Sequence, residues 1–227
     1  MLIFSAVSAG YGGVPVLKDI SFSVADGEAV AIFGHNGAGK TTLMRCAVGD
    51  VAEMTGTVSY RGDAIVPGAV FRNTRRGIGF VPQGHNVFRE LSVRQNLTIS
   101  GLHHPESKVE DIYKLFPILL ERGGQAAGSL SGGQQQILAL GMALMTKPTI
   151  LLLDEPSTGL APIIVRDVMA SLTKINRETG TTVVIVEQNI PATLAIVSRA
   201  IVVKSGRVVF DGPSKELERK EDLWGLF

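Results

Sequence analysis

Residues 28–42 read Glu28-Ala29-Val30-Ala31-Ile32-Phe33-Gly34-His35-Asn36-Gly37-Ala38-Gly39-Lys40-Thr41-Thr42, and Leu43 to Val48 continue in a helical pattern. A short apolar strand runs into a glycine-rich turn, and a helix follows. The turn matches G-x-x-x-x-G-K-[ST] at every fixed position, in the strand-to-helix context that this pattern requires. Glycines let the backbone wrap closely around a phosphate with consecutive N–H groups aimed inward. The helix N-terminus adds partial positive charge. Gly34, Asn36, Gly37, Ala38, Gly39, Lys40, Thr41 and Thr42 are therefore candidate nucleotide contacts, with Lys40 reaching the β- and γ-phosphates and the Thr41 hydroxyl placed for Mg²⁺. The competing reading, an ordinary glycine-rich turn before a helix, is disfavoured by the strand and helix on either side.

The rest of the chain suits an α/β domain. Its 227 residues are 45% hydrophobic and 19% charged, enough apolar material for a sizeable core and too much for a disordered chain. With 22 basic and 21 acidic residues, the net charge of +1 gives no basic field for nucleic acid. One cysteine, Cys46, leaves no disulfide framework and no cysteine-based zinc site, and suits a reducing compartment. Ile137–Met145, the longest apolar run, is broken by Gly141 and falls far short of the ~18–20 residues of a membrane span. The apolar start, Met1–Phe4, has no basic residue before Lys18 and is too short for a leader, so a soluble intracellular protein is expected.

Strands are predicted at Leu2–Val7, Ile20–Val24, Glu28–Phe33, Thr57–Tyr60, Ile78–Val81, Thr149–Leu153 and Thr182–Val186, with a hairpin of Ile201–Val203 and Val208–Phe210. Helices are predicted at Thr41–Val48, Val93–Ser100, Val109–Leu120, Gln134–Thr146, Ile163–Thr179 and Pro191–Val197, with Gln125–Gly133 as loop. Apolar strands separated by helices indicate a parallel sheet covered on both faces. The expected organisation is one domain: a core with an N-terminal antiparallel β-subdomain, about 1–85 and 147–227, and a helical subdomain inserted at about 86–146.

Ile150-Leu151-Leu152-Leu153-Asp154-Glu155 is a Walker B pattern. Four aliphatic residues bury the strand and bring Asp154 out at its carboxyl end, beside the phosphate loop of a parallel sheet. There Asp154 serves Mg²⁺, and Glu155 polarises the attacking water; the competing reading is a helix cap. Upstream, Leu130-Ser131-Gly132-Gly133-Gln134 directly precedes a helix. Its hydroxyl, glycine N–H groups and helix N-terminus make a second anion site. Two half-sites for one γ-phosphate are satisfied together by a head-to-tail dimer.

With Leu-Ser-Gly-Gly-Gln standing between these two motifs, the sequence resembles an ATP-binding cassette (ABC) ATPase over essentially its whole length. That resemblance implies an α/β P-loop NTPase (RecA-like) fold, with ATP and Mg²⁺ as ligands and ATP hydrolysis coupled to transport. It also implies roles for single residues: Tyr11 stacks on adenine, Gln83 touches Mg²⁺, and Ser131, Gly132, Gly133 and Gln134 meet the partner's nucleotide. Competing readings are a core tyrosine and a loop glutamine. Ser157-Thr158-Gly159-Leu160 corresponds to the loop that contacts the partner subunit, here without its usual aspartate. Gln188 stands where many ABC ATPases carry a γ-phosphate-contacting histidine; a glutamine donates a hydrogen bond but brings no charge. Met142 replaces a usual arginine.

Gly159-Leu160-Ala161-Pro162 together with Val186-Glu187-Gln188-Asn189 looks like the smaller ATPase of branched-chain amino acid importers and their urea or amide relatives. The partners implied are integral-membrane permease subunits, a second ABC ATPase chain (identical or different) and, indirectly, a periplasmic or extracellular binding protein, with no nucleic acid. The expected location is the cytoplasmic face of the cell membrane. Phe88 and Leu91, after Gln83 in a polar loop, are candidate permease contacts or else subdomain core. Asn86–Leu130 is too short for the coiled coil of a repair ATPase, a single set of motifs argues against a two-cassette ribosomal factor, and a small-molecule P-loop kinase leaves Leu130–Gln134 unexplained. His85, His103 and His104 read as solvated loop residues, Cys46 as a small buried group, and Trp224 and Phe227 as packing for the tail.

Overall fold

The computed structural model of the chain describes residues 1–84 and 86–218. Leu2–Tyr11 (β1) and Val14–Val24 (β2) form a hairpin that runs right up to the Gly12-Gly13 turn, so both strands extend beyond their alternating segments. Ala29–Phe33 (β3) leads into the glycine-rich loop and Lys40–Val48 (α1) out of it. Glu53–Tyr60 (β4) and Asp63–Ala64 (β5) complete an antiparallel sheet of order β2-β1-β4-β5. Val70–Thr74 (α2) and Ile78–Val81 (β6) follow.

The middle of the chain is helical: Val93–Ser100 (α3), Val109–Leu115 (α4), Pro117–Glu121 (α5) and Gly132–Leu144 (α6). Two sequence expectations are corrected here. The helix expected over Val109–Leu120 is two helices, broken at Phe116 (φ −131°, ψ 80°). Proline disfavours the helical conformation in the residue before it, and its ring starts a new helix at the first position. The helix expected from Gln134 begins at Gly132, so the two glycines placed in a loop form its first turn. Ser131 is the cap: its Oγ accepts the Gln134 N–H at 3.3 Å, and Gln134 Oε1 accepts the Ser131 N–H at 3.0 Å.

Ile150–Asp154 (β7), Pro162–Thr179 (α7), Thr182–Val186 (β8), Ile190–Leu194 (α8), Arg199–Lys204 (β9), Arg207–Pro213 (β10) and Ser214–Glu218 (α9) complete the described chain. The second sheet has order β10-β9-β3-β8-β7-β6, with β9, β3, β8, β7 and β6 mutually parallel and β10 antiparallel at one edge. Its central strands are apolar throughout because each successive side chain enters a different core. From β3, Val30 and Ile32 pack with α1 and the antiparallel sheet, while Ala31 and Phe33 pack with α6 and α7. Strands β7 and β8 divide in the same way: Ile150, Leu152, Val184 and Val186 to one core, Leu151, Leu153, Val183 and Ile185 to the other. Cys46 on α1 is fully buried, and burial pushes its thiol up to about 12. His85, Trp224 and Phe227 lie outside the described residues.

Candidate nucleotide site

Register brings the chemistry to one edge of the mixed sheet. Val186 pairs with both Ile32 on β3 and Asp154 on β7, so the ends of these strands stand level. The loop after β3 carries residues 34–39, Asp154 ends β7, and Glu187 and Gln188 follow β8.

The glycine-rich loop has the backbone that its sequence demands. Gly39 sits at φ +108°, where a Cβ would stand 2.6 Å from Leu17 Cδ2; Gly37 sits at φ +81°, with no protein atom within 4 Å on its Cβ side. An L side chain is strained at either position. The Lys40 ammonium bends back over the loop and donates to the carbonyls of Gly34 (2.8 Å) and His35 (3.1 Å). Burial pulls the Lys40 ammonium below its ordinary value, and the negative charges of Glu155, Asp154 and Glu187 oppose that shift. Asn36, Gly37, Gly39, Lys40, Thr41 and Thr42 line a cavity of about 500 Å³, together with Val16, Gln83, Glu155, Thr158 and Gln188.

Glu155 is the hub. Its Oε2 accepts from Gln83 Nε2 at 2.8 Å and from the Thr158 hydroxyl at 3.1 Å. Its Oε1 accepts from Gln188 Nε2 at 2.6 Å and lies 3.8 Å from Lys40 Nζ. Gln188 Nε2 also donates to Asn36 Oδ1 at 2.9 Å, which ties the loop after β8 to the glycine-rich loop. Glu155 takes φ +50°, a left-handed conformation that is uncommon away from glycine, and its N–H donates to Val186 O at 2.8 Å.

Asp154 is buried, and neither carboxylate oxygen has a hydrogen-bond donor. Such an orphan is costly unless a cation or donor completes it. Burial pushes its carboxyl above the usual range; the Thr41 hydroxyl pulls the other way, and the Glu155 charge adds to the rise. Among the described residues no cluster of three or more His, Cys, Asp or Glu side chains could hold a metal. One unsatisfied carboxylate beside a threonine hydroxyl does fit a Mg²⁺ ion held mainly by phosphate oxygens and water.

Other expected site residues stand apart from this cavity. Ser131, Gly132, Gly133 and Gln134 open α6, and none of them lines it. Tyr11 closes β1 and is 42% exposed, which removes the core-tyrosine reading, yet it too lies outside the lining. Val16 of β2 also lines the cavity; an apolar strand residue outside every motif carries no sequence signal for that place. Thr158 and Glu187 were visible only as members of loops. An acidic residue immediately after the wholly apolar stretch 183–186 repeats the pattern of Asp154 after Ile150–Leu153, and that was the available signal for Glu187.

A glycine-rich phosphate loop between strand and helix, with an acidic pair ending a parallel strand one place beyond the adjacent β8, defines a P-loop nucleotide-binding domain. The sequence profile of the family described as ABC transporter matches residues 17–158. The high-affinity branched-chain amino acid transport ATP-binding protein BraG of Pseudomonas aeruginosa is 42% identical over 213 residues, covering 92% of this chain and 91% of that protein. The probable branched-chain amino acid transport ATP-binding protein LivF of Archaeoglobus fulgidus is 33% identical over 225 residues, covering 97% and 95%. The dimeric, post-hydrolysis structure of the ATP-binding cassette MJ0796 with ADP and Pi superposes with a TM-score of 0.83 at 25% identity, covering 94% of this chain and 99% of that one. This chain belongs to the ABC transporter family, as an ATP-binding and ATP-hydrolysing cassette. No helix among the described residues is long and apolar enough to cross a membrane.

Proposed function

We propose that this cassette powers an importer of branched-chain amino acids by hydrolysing Mg-ATP between two ATPase chains at the inner face of the cell membrane. The transport names of its relatives support the substrate class. The observation that carries the hydrolytic reading is the Glu155 carboxylate, held by Gln83, Thr158 and Gln188 at the mouth of the phosphate loop. In this scheme residues 34–42 cradle the β- and γ-phosphates, and Tyr11 supports the adenine. Asp154 and Thr41 hold Mg²⁺, with Gln83 beside them. Bound there, the ion neutralises charge developing on the β- and γ-oxygens.

Glu155 accepts a proton of the attacking water and aims its oxygen at phosphorus. Lys40 and Gln188 donate to the γ-phosphate oxygens, Gln188 without the charge of a histidine. Ser131, Gly132, Gly133 and Gln134 complete the partner's site, since they open a helix and none of them lines this chain's own cavity. Residues 86–146, the proposed helical insert, would then carry these groups as a unit. Permease subunits engage the loop around Phe88, and a binding protein outside the membrane selects the solute.

The test is Glu155→Gln. It is expected to keep nucleotide affinity and lower turnover by about two to four orders of magnitude, and Mg-ATP should hold the variant as a dimer in size exclusion. Turnover near that of the wild type would remove Glu155 from the reaction.

A further inference from the structure

Glu187 has no task in that scheme, yet its surroundings are unusual for a carboxylate. It is 1% exposed, and among the described residues it forms no ion pair. Its oxygens are met by backbone instead. Oε1 accepts the Ser157 N–H at 2.7 Å, and Oε2 accepts the N–H groups of Gln188 at 3.0 Å and Asn189 at 3.3 Å. Its own N–H donates to Ile32 O at 3.3 Å. The Glu187 side chain thus joins the loop after β7 to the loop after β8, and its backbone ties both to the strand that precedes the phosphate loop.

The two loops it joins are those that grip Glu155. Thr158, next to Ser157, donates to one oxygen of Glu155, and Gln188 donates to the other. Three N–H donors converge on Glu187, so both of its oxygens must accept. An amide offers one acceptor and one NH₂, and in either orientation it turns a donor against one of the loops.

We propose that Glu187 is a positioning residue for hydrolysis: it fastens the 157–160 loop to the 187–189 loop, so that Thr158 and Gln188 hold the Glu155 carboxylate from both sides. Because 157–160 is the proposed partner-facing loop, the same fastening carries partner contact to the group facing the γ-phosphate. The inference rests on the assignment of Glu155 and Gln188 to hydrolysis above.

The experiment is a double-mutant cycle of Glu187→Gln with Gln188→Ala, read as single-turnover ATP hydrolysis with enzyme in excess, alongside nucleotide affinity and thermal midpoint. Glu187→Gln is expected to lower the hydrolysis rate about tenfold or more while nucleotide affinity moves less than about twofold. In the Gln188→Ala background, its further loss should shrink to less than about threefold, because both changes act through the same contacts. A wild-type rate for Glu187→Gln, or losses that multiply in the double variant, would overturn the inference. If Gln188→Ala alone hydrolyses at the wild-type rate, the assignment of Gln188 fails instead, which is a separate outcome. Should Glu187→Gln not fold, Glu187→Asp keeps both accepting oxygens one methylene short. It is expected to lose rate at unchanged affinity; a full rate, or a parallel loss of rate and affinity, would contradict the positioning role.

Discussion

At the residue scale, Asp154 shows the cost of a buried carboxylate whose oxygens meet no donor. A carboxylate raised by burial favours folding in its protonated form, so its contribution is present at acid pH and is lost as pH rises through the raised value. Asp154→Asn is therefore expected to melt higher than wild type at pH 7 without nucleotide, with the gap closing towards pH 4. The rise should be a few degrees, at about 2–4 °C per kcal/mol for a chain of this size. Added Mg-ATP should raise the melting temperature of the wild type more than that of the variant. An Asp154→Asn protein less stable than wild type at pH 7 would mean that the buried carboxylate has a partner that this account lacks. The identities of Asp154, Glu155 and Gln188 were legible because each follows a short apolar strand or sits in a fixed motif. The grip on Glu155 was not, since its donors come from three segments whose convergence leaves no periodicity.

Among elements, the loop after β6 can be tested through Phe88, which it exposes, and Asn96 on α3, which holds it. Phe88 is 51% exposed, which removes the reading of it as subdomain core, while Leu91 is only half-buried. The loop keeps its shape through fully buried Asn96, which accepts the Phe88 N–H at 2.8 Å and donates to the carbonyls of Phe88, Leu91 and Ser92. Asn96→Ala strands those groups and is expected to cost about 1–3 kcal/mol, read as a lower melting temperature. Phe88→Ala should stay within about 0.5 kcal/mol of wild type and keep its basal ATPase, while transport by the assembled complex falls. Equal destabilisation by both substitutions would show Phe88 to be structural. Apolar strands were legible here, and so was the short α8 that Pro191 opens, but α2 and α9 were not: they are five residues each, too short for a helical period to register without such a start signal. Pro117 did announce the break after α4, but the apolar spacing of 109–120 spans it and masked the signal.

For the whole molecule, the decisive feature is a separation. Lys40, Thr41, Glu155 and Gln188 line one cavity, while the capped start of α6 with Ser131 lies off it, against α7 through Gly133 and Ile164. If the turn that opens α6 binds phosphate, as proposed, its place off this cavity is accounted for when each chain lends it to another. The sequence carries both motifs in order, but their separation in space depends on how the helical stretch sits on the sheet, which no local pattern encodes. The direct measurement is ATP hydrolysis by a mixture of Lys40→Ala and Ser131→Ala chains, each nearly inactive alone. A mixed dimer joins one intact loop to one intact Ser131, so an equal mixture should recover roughly a quarter of wild-type activity from statistical pairing. Mixed dimers that form and hydrolyse no more ATP than either variant alone would contradict a site shared between two chains.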